Sequence, residues 1–311
     1  YDNYSDFIVS AVTDNILNRQ AGGAYVIFGQ GNVTQDLDLA DPSSYKYRIV
    51  GDTTGDYTGR CMSSLGDINS DGYTDIIMGI NAAASAAGAA GESSAIVLFG
   101  KAQASPTNAP TLPTTASPTF TPAPSASPTL YPFDIDIANI AVTHQAVGIA
   151  ADGQLRLGRT VTSLGDVNDD SIPDYAITGY IVDDPFATAV AYIIFGGGDN
   201  GGSNSELDLN HLVANSTGFK ILGSTVASLD VLNSDIIPLV LSSGGDFNMD
   251  GITDIIVGVP AANCNGGSEC GEVYVIFGQD SSYTWTDITL SGFSPSEMGL
   301  IITGVVANTH L

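Results

Sequence analysis

A nine-residue pattern recurs in this chain as DINSDGYTD (Asp67–Asp75), DVNDDSIPD (Asp166–Asp174) and DFNMDGITD (Asp246–Asp254). Asp holds the first, fifth and ninth places and Asn the third. A hard cation explains that order, because calcium takes about six to eight oxygen ligands and short side chains at alternate positions of a tight turn can point at one centre. The candidate ligands are Asp67, Asn69, Asp71 and Asp75; Asp166, Asn168, Asp170 and Asp174; and Asp246, Asn248, Asp250 and Asp254. The seventh residues, Tyr73, Ile172 and Ile252, are expected to offer backbone carbonyls. Gly72 and Gly251 stand where the turn needs a left-handed residue, which glycine adopts without strain; Ser171 takes that place in the middle copy. An EF-hand would need a Glu at the twelfth place and flanking helices. Met78, Ile177 and Val257 stand there instead, and each loop runs into a short apolar, β-branched stretch (DIIMG, DYAITG, DIIVG) that reads as a buried strand.

A second landmark follows each loop at a near-constant distance, a strand ending in Phe-Gly: AYVIFGQ to Gln30, AIVLFGK to Lys101, AYIIFGG to Gly197 and VYVIFGQ to Gln279. An alternating element comes next (Asp36–Ala40, Phe133–Ala138, Glu206–Asn210, Thr286–Leu290), then a further apolar strand. Near-constant length with variable connections marks a structural repeat. Four short strands per unit, unable to bury their faces alone, predict an all-β protein of β-propeller blades, each of four antiparallel strands. About four units are present, part of a larger ring or array. Asp2, Tyr4 and Asp6 align with Asp71, Tyr73 and Asp75, which adds them to the candidate metal ligands. It also predicts that the chain starts inside a repeat and is a piece of something longer.

The formal net charge is -26, with Lys+Arg at only 8. That argues against nucleic acid, whose phosphates need basic partners, and against anionic lipid surfaces. No apolar run approaches the length of a membrane span. Cys264 and Cys270 flank a glycine-rich loop and either close a small disulfide ring or stand as two thiols; Cys61 is then a buried thiol or pairs outside the chain. Asn3, Asn32 and Asn215 open N-x-S/T sequons, possible N-glycosylation sites of a secreted glycoprotein. Residues 104–132 are rich in Pro, Ser and Thr and without charge, so they are expected to be extended, as an O-glycosylated stalk or an unmodified loop. They divide the chain into blades at 1–103 and 133–311, and are either a long insertion or a boundary between two propellers. Asp230, Asn233 and Asp235 mimic the calcium loop out of register and are read as metal-free. His144, His211 and His310 lack partners at catalytic spacing, so no enzyme is expected.

The loop, the strand after it, the GVPA of Gly258–Ala261 and the closing Phe-Gly together resemble the FG-GAP repeat of integrin alpha-subunit β-propellers. The resemblance covers nearly the whole chain outside the Pro/Ser/Thr tract. It implies calcium in each loop and an extracellular or cell-surface setting. The favoured function is a calcium-stabilised structural or adhesive module of a surface, matrix or filament protein, including self-assembly into a larger structure. The alternatives are a receptor-type propeller for a protein or glycan ligand and an accessory domain of a secreted enzyme.

Overall fold

The computed structural model describes residues 4–13, 15, 20–31, 36–41, 44–80, 94–100, 134–137, 146–150, 155–183, 186–197, 207–209, 212, 214–227, 239–260, 262 and 270–304. In chain order the strands begin with β1 (Phe7–Ser10), β2 (Gly23–Ile27), β3 (Tyr47–Val50), β4 (Met62–Gly66), β5 (Asp75–Ile80) and β6 (Ser94–Leu98). Next come β7 (Asp134–Asp136), β8 (Ala146–Ala150), β9 (Leu155–Arg156), β10 (Val161–Gly165), β11 (Asp174–Asp183) and β12 (Phe186–Ile194). The last are β13 (Leu207–Asp208), β14 (Gly218–Ala227), β15 (Val240–Gly245), β16 (Asp254–Val259), β17 (Glu272–Ile276), β18 (Ile288–Thr289) and β19 (Gly299–Thr303). One helical turn, Pro295–Met298, precedes β19.

These strands form four sheets. The second, third and fourth each contain an antiparallel run of the same design: β4-β5-β6-β8, β10-β11-β12-β14 and β15-β16-β17-β19. In the first sheet, β1-β2-β3 match the second to fourth strands of that run. The protein is all-β and its sheets are propeller blades. β10 packs between β4 and β15, so the first strands gather at the inner side of the fan. Those first strands were not anticipated from the sequence, because MSSLG, VTSLG and VLSSGG are rich in Ser and Gly. Each is bulged next to the loop, at Ser64/Gly66, Ser163/Gly165 and Ser243/Gly245. The glycine there is left-handed (φ 76, 82 and 63), as a bulge of this kind requires.

The alternating element has a different place from the one expected. It adds in parallel to the outer edge of the preceding sheet instead of serving as an antiparallel strand of its own. β7 pairs with β3, β13 with β8, and β18 with β14. Each of the first three sheets is thereby stitched to the unit that follows it. Asp36–Ala40, the first copy of the element, lies in no strand. Residues 104–132 fall between β6 and β7, which lie in different sheets: β6 pairs with β8, and β7 with β3 of the sheet before; the tract itself lies outside the described residues. So do Asp230, Asn233, Asp235 and the three histidines.

Alternation along each strand sends one set of side chains to each face, and the core fills the gaps between successive sheets. Ala24 and Ile49 meet Met78, Ile96 and Leu98 between the first two sheets. Leu65, Ile77 and Ile149 meet Tyr175, Ile177 and Tyr192 between the next two. Leu164, Phe219 and Ile221 meet Ile255, Val257 and Tyr274 between the last two, with Trp285 stacked on Phe219 at 4.3 Å between ring centroids. Among the described residues no helix is long and apolar enough to cross a membrane.

Candidate metal loops and the Phe-Gly latch

The three acidic loops join the first strand of a sheet to the second and share one backbone conformation. Their fourth residues, Ser70, Asp169 and Met249, are left-handed (φ 59, 58 and 65), as are their sixth, Gly72, Ser171 and Gly251 (φ 89, 69 and 94). Ser171 therefore does occupy the left-handed position, at a strain on the order of 1 kcal/mol. Short side chains hold the turn. The two Asp67 carboxylate oxygens accept the N–H of Asp71 at 2.9 Å and of Gly72 at 2.7 Å. Asn69 Oδ1 accepts the Asp71 N–H at 3.1 Å, and Asp71 Oδ1 accepts that of Tyr73 at 2.9 Å. The same bonds recur around Asp166, Asn168 and Asp170 and around Asp246, Asn248 and Asp250.

The ninth residue behaves differently. Asp75, Asp174 and Asp254 are fully buried, and each bridges two parts of its sheet. One oxygen of Asp75 accepts the Ile68 N–H within the loop at 3.0 Å; the other accepts the Gly100 N–H at 2.8 Å. Asp174 does the same with Val167 and Gly196, both at 2.8 Å. Asp254 does so with Phe247 at 2.6 Å and Gly278 at 2.9 Å. Asp6 holds Gly29 at 2.8 Å in the first sheet. Gly29, Gly100, Gly196 and Gly278 are the glycines of Phe-Gly, so that dipeptide is the far end of a latch. A side chain on any of them would run into the carbonyl of the residue before the latching Asp: Ser5, Thr74, Pro173 or Thr253. Sequence reasoning noticed Phe-Gly as a landmark but missed this role, although the fixed pairing of Asp with Phe-Gly in every unit was the available signal.

Burial pushes the Asp174 carboxyl up to about 8, opposed by its two backbone donors and reinforced by Asp170 and Asp166. Burial likewise raises Asp75, to about 6. The donor set is all hard oxygen, which suits calcium. A carboxylate has about four lone-pair sites, so an oxygen that accepts a loop N–H retains capacity for a cation. Among the described residues no three or more His, Cys, Asp or Glu side chains are gathered into a metal-holding cluster; the loop carboxylates are turned onto loop amides. A shallow acidic pocket lies between the second and third acidic loops, lined by Asp169, Asp250, Gln279 and Asp280 among others.

The remaining sequence candidates fall as follows. Tyr4 is exposed, while Asp2, Asn3, Asn32 and Cys264 lie outside the described residues. Cys270 is fully buried. Cys61 is a free thiol that donates to the Gly158 carbonyl at 3.1 Å, between the second and third sheets. Asn215 is exposed in a left-handed turn (φ 70), and its Oδ1 accepts the Trp285 N–H at 2.8 Å.

Residues 240–276 match the family model of the FG-GAP repeat. The match covers β15, the third acidic loop, β16 and β17. No curated protein matches the chain.

Proposed function

We propose that this chain, which carries an FG-GAP repeat in sheets of one design, is a calcium-stabilised structural or adhesive module of an extracellular surface, matrix or filament protein, and not an enzyme. One observation supports the metal above others: three loops with the same ligand order keep left-handed residues at the same two places, each with at least three Asp in nine residues and no Lys or Arg. Asp67, Asn69, Asp71, Asp75 and the Tyr73 carbonyl would hold one ion. Asp166, Asn168, Asp170, Asp174 and the Ile172 carbonyl would hold a second, and Asp246, Asn248, Asp250, Asp254 and the Ile252 carbonyl a third. Calcium, when bound, neutralises the repulsion within a loop and ties its two strands. The loops themselves set the turn through their amides, and the ninth Asp carries it to the strand ending in Phe-Gly. An acidic surface, the Pro/Ser/Thr tract and the sequons support the extracellular setting.

The test is metal content by elemental analysis beside thermal unfolding with calcium and with excess EGTA. A ligand bound only by the folded state at 100 times its Kd adds about 2.7 kcal/mol per site. Ions retained by the protein and a lower melting point in EGTA are expected. A metal-free protein with an unchanged melting curve overturns the calcium reading.

A further inference from the structure

The second and third acidic loops are joined by a bond that the first and second lack. The Thr253 N–H donates to the Asp166 carbonyl at 3.1 Å. Asp166 is the first residue of the second loop and Thr253 the eighth of the third. A peptide group is planar, so the amide that carries this N–H also carries the Ile252 carbonyl, the proposed backbone ligand of the third ion. The equivalent amide of the second loop is Ile172-Pro173, and proline has no N–H to give. Pro173 nevertheless holds the same place. A Cβ on Gly66 would lie 3.1 Å from its ring, as one on Gly165 would lie 2.9 Å from the Thr253 hydroxyl. The contact between loops is repeated and the hydrogen bond is not.

A second route is common to both pairs of loops. The Ile68 carbonyl accepts the Gly197 N–H at 2.8 Å, and the Val167 carbonyl that of Gln279 at 3.0 Å. Gly196 and Gly278, one residue earlier, hold the buried Asp174 and Asp254. Present at both junctions, this route does not set them apart; the Thr253 bond does. A hydrogen-bonded amide is polarised, which strengthens its carbonyl as an acceptor. An ion on the Ile252 carbonyl in turn makes the Thr253 N–H a stronger donor to Asp166, whose carboxylate would hold the second ion. Occupancy of each loop thus favours occupancy of the other, and such coupling is reciprocal. Charge acts in the opposite direction. Asp169, Asp250 and Asp280 line the gap between the two loops, and an ion in one loop weakens the attraction felt at the other, an effect that salt screens.

We propose that the second and third loops bind calcium cooperatively through the Asp166–Thr253 bond, with Thr253 as the positioning residue, and that Pro173 denies the first and second loops the same coupling. The inference rests on the calcium reading and adds a regulation to it. The net worth of one hydrogen bond sets the scale, about 2- to 12-fold in affinity. Thr and Pro are both uncharged, so exchanging them leaves the opposing charge effect as it was.

Calcium titrations of the whole chain against a chromophoric chelator, at raised salt, test it. Asp71→Ala leaves the second and third loops to bind, and Asp250→Ala the first and second. Pairing either with a further substitution, Asp170→Ala or the other of the two, leaves a single loop. The coupling in a pair is the product of its two stepwise constants over the product of the matching single-loop constants. The second and third loops are expected to show a coupling about 2- to 12-fold above that of the first and second. Thr253→Pro should abolish that excess, and Pro173→Thr should raise the coupling of the first pair to match the second. Melting in EGTA checks that each variant folds; if Thr253→Pro does not, Pro173→Thr decides. Ions bound with equal coupling in the two pairs, an excess that survives Thr253→Pro, or no gain from Pro173→Thr overturns the cooperativity and leaves the calcium reading standing. No ion bound by any sample overturns both.

Discussion

Gly278→Ala separates the latch from any question of metal, because Gly278 offers no side chain to a cation. A methyl group there would fall inside contact distance of the Thr253 carbonyl oxygen and 2.6 Å from the Ile252 methyl, so the loop backbone must move away. Moving it breaks or stretches the 2.9 Å bond from Gly278 to Asp254. A hydrogen bond to a charged group is worth about 1.5–3 kcal/mol, and overpacking adds about 1–3 kcal/mol. The lower entropy of an unfolded Ala relative to Gly returns about 0.4–1 kcal/mol. The net loss is about 2–5 kcal/mol. Urea unfolding followed by the fluorescence of Trp285, the sole tryptophan, reads the junction of the third and fourth sheets where that ring is buried. Gly292→Ala is the control: it has open space around it and no left-handed requirement, so a change within about 0.5 kcal/mol is expected. A loss below about 1 kcal/mol for Gly278→Ala, measured in excess EGTA as well as in calcium, would refute the latch.

Asp254→Ala and Asp250→Ala should part company in EGTA. The first strips acceptors from the Phe247 and Gly278 amides, about 1–3 kcal/mol each; the second alters an exposed turn and should shift urea midpoints little, while in calcium each removes one ion by elemental analysis. Cys61 should resist iodoacetamide in the native protein at pH 8. Burial pushes its thiol up to about 11, which lowers the reactive thiolate fraction about 100-fold relative to a free cysteine; labelling as fast as in urea would contradict that placement. Mass spectrometry of a non-reduced digest should find Cys264 joined to Cys270, and two alkylated peptides would exclude the ring.

What could be read from the residues was what is local. The acidic loops, the apolar strands after them and the left-handed place of Ser171 depend on neighbours a few positions away, and they stand where their spacing put them. What escaped depends on partners distant in the chain. DLDLA, FDIDIA and ELDLN alternate as any strand does, and alternation does not say which sheet will receive them. The Ser- and Gly-rich first strands lack the β-branched run that marks a strand; their place is fixed by a bulge and by β5, β11 and β16. The glycine of Phe-Gly read only as the end of a strand; it is not left-handed, and its lack of a side chain is what the Thr253 or Thr74 carbonyl requires.

The stitching strands also bear on how such a chain can be divided. Because β7, β13 and β18 each leave their own unit to complete the one before, the boundary of a sequence motif and the boundary of a folded leaf are offset, as overlapping roof tiles are. Deleting a unit from one acidic loop to the next would strip an edge from the leaf upstream while orphaning a ribbon downstream, so two leaves fail for every one removed. Shortened or shuffled versions of the molecule will hold together where the cuts fall just after a stitch.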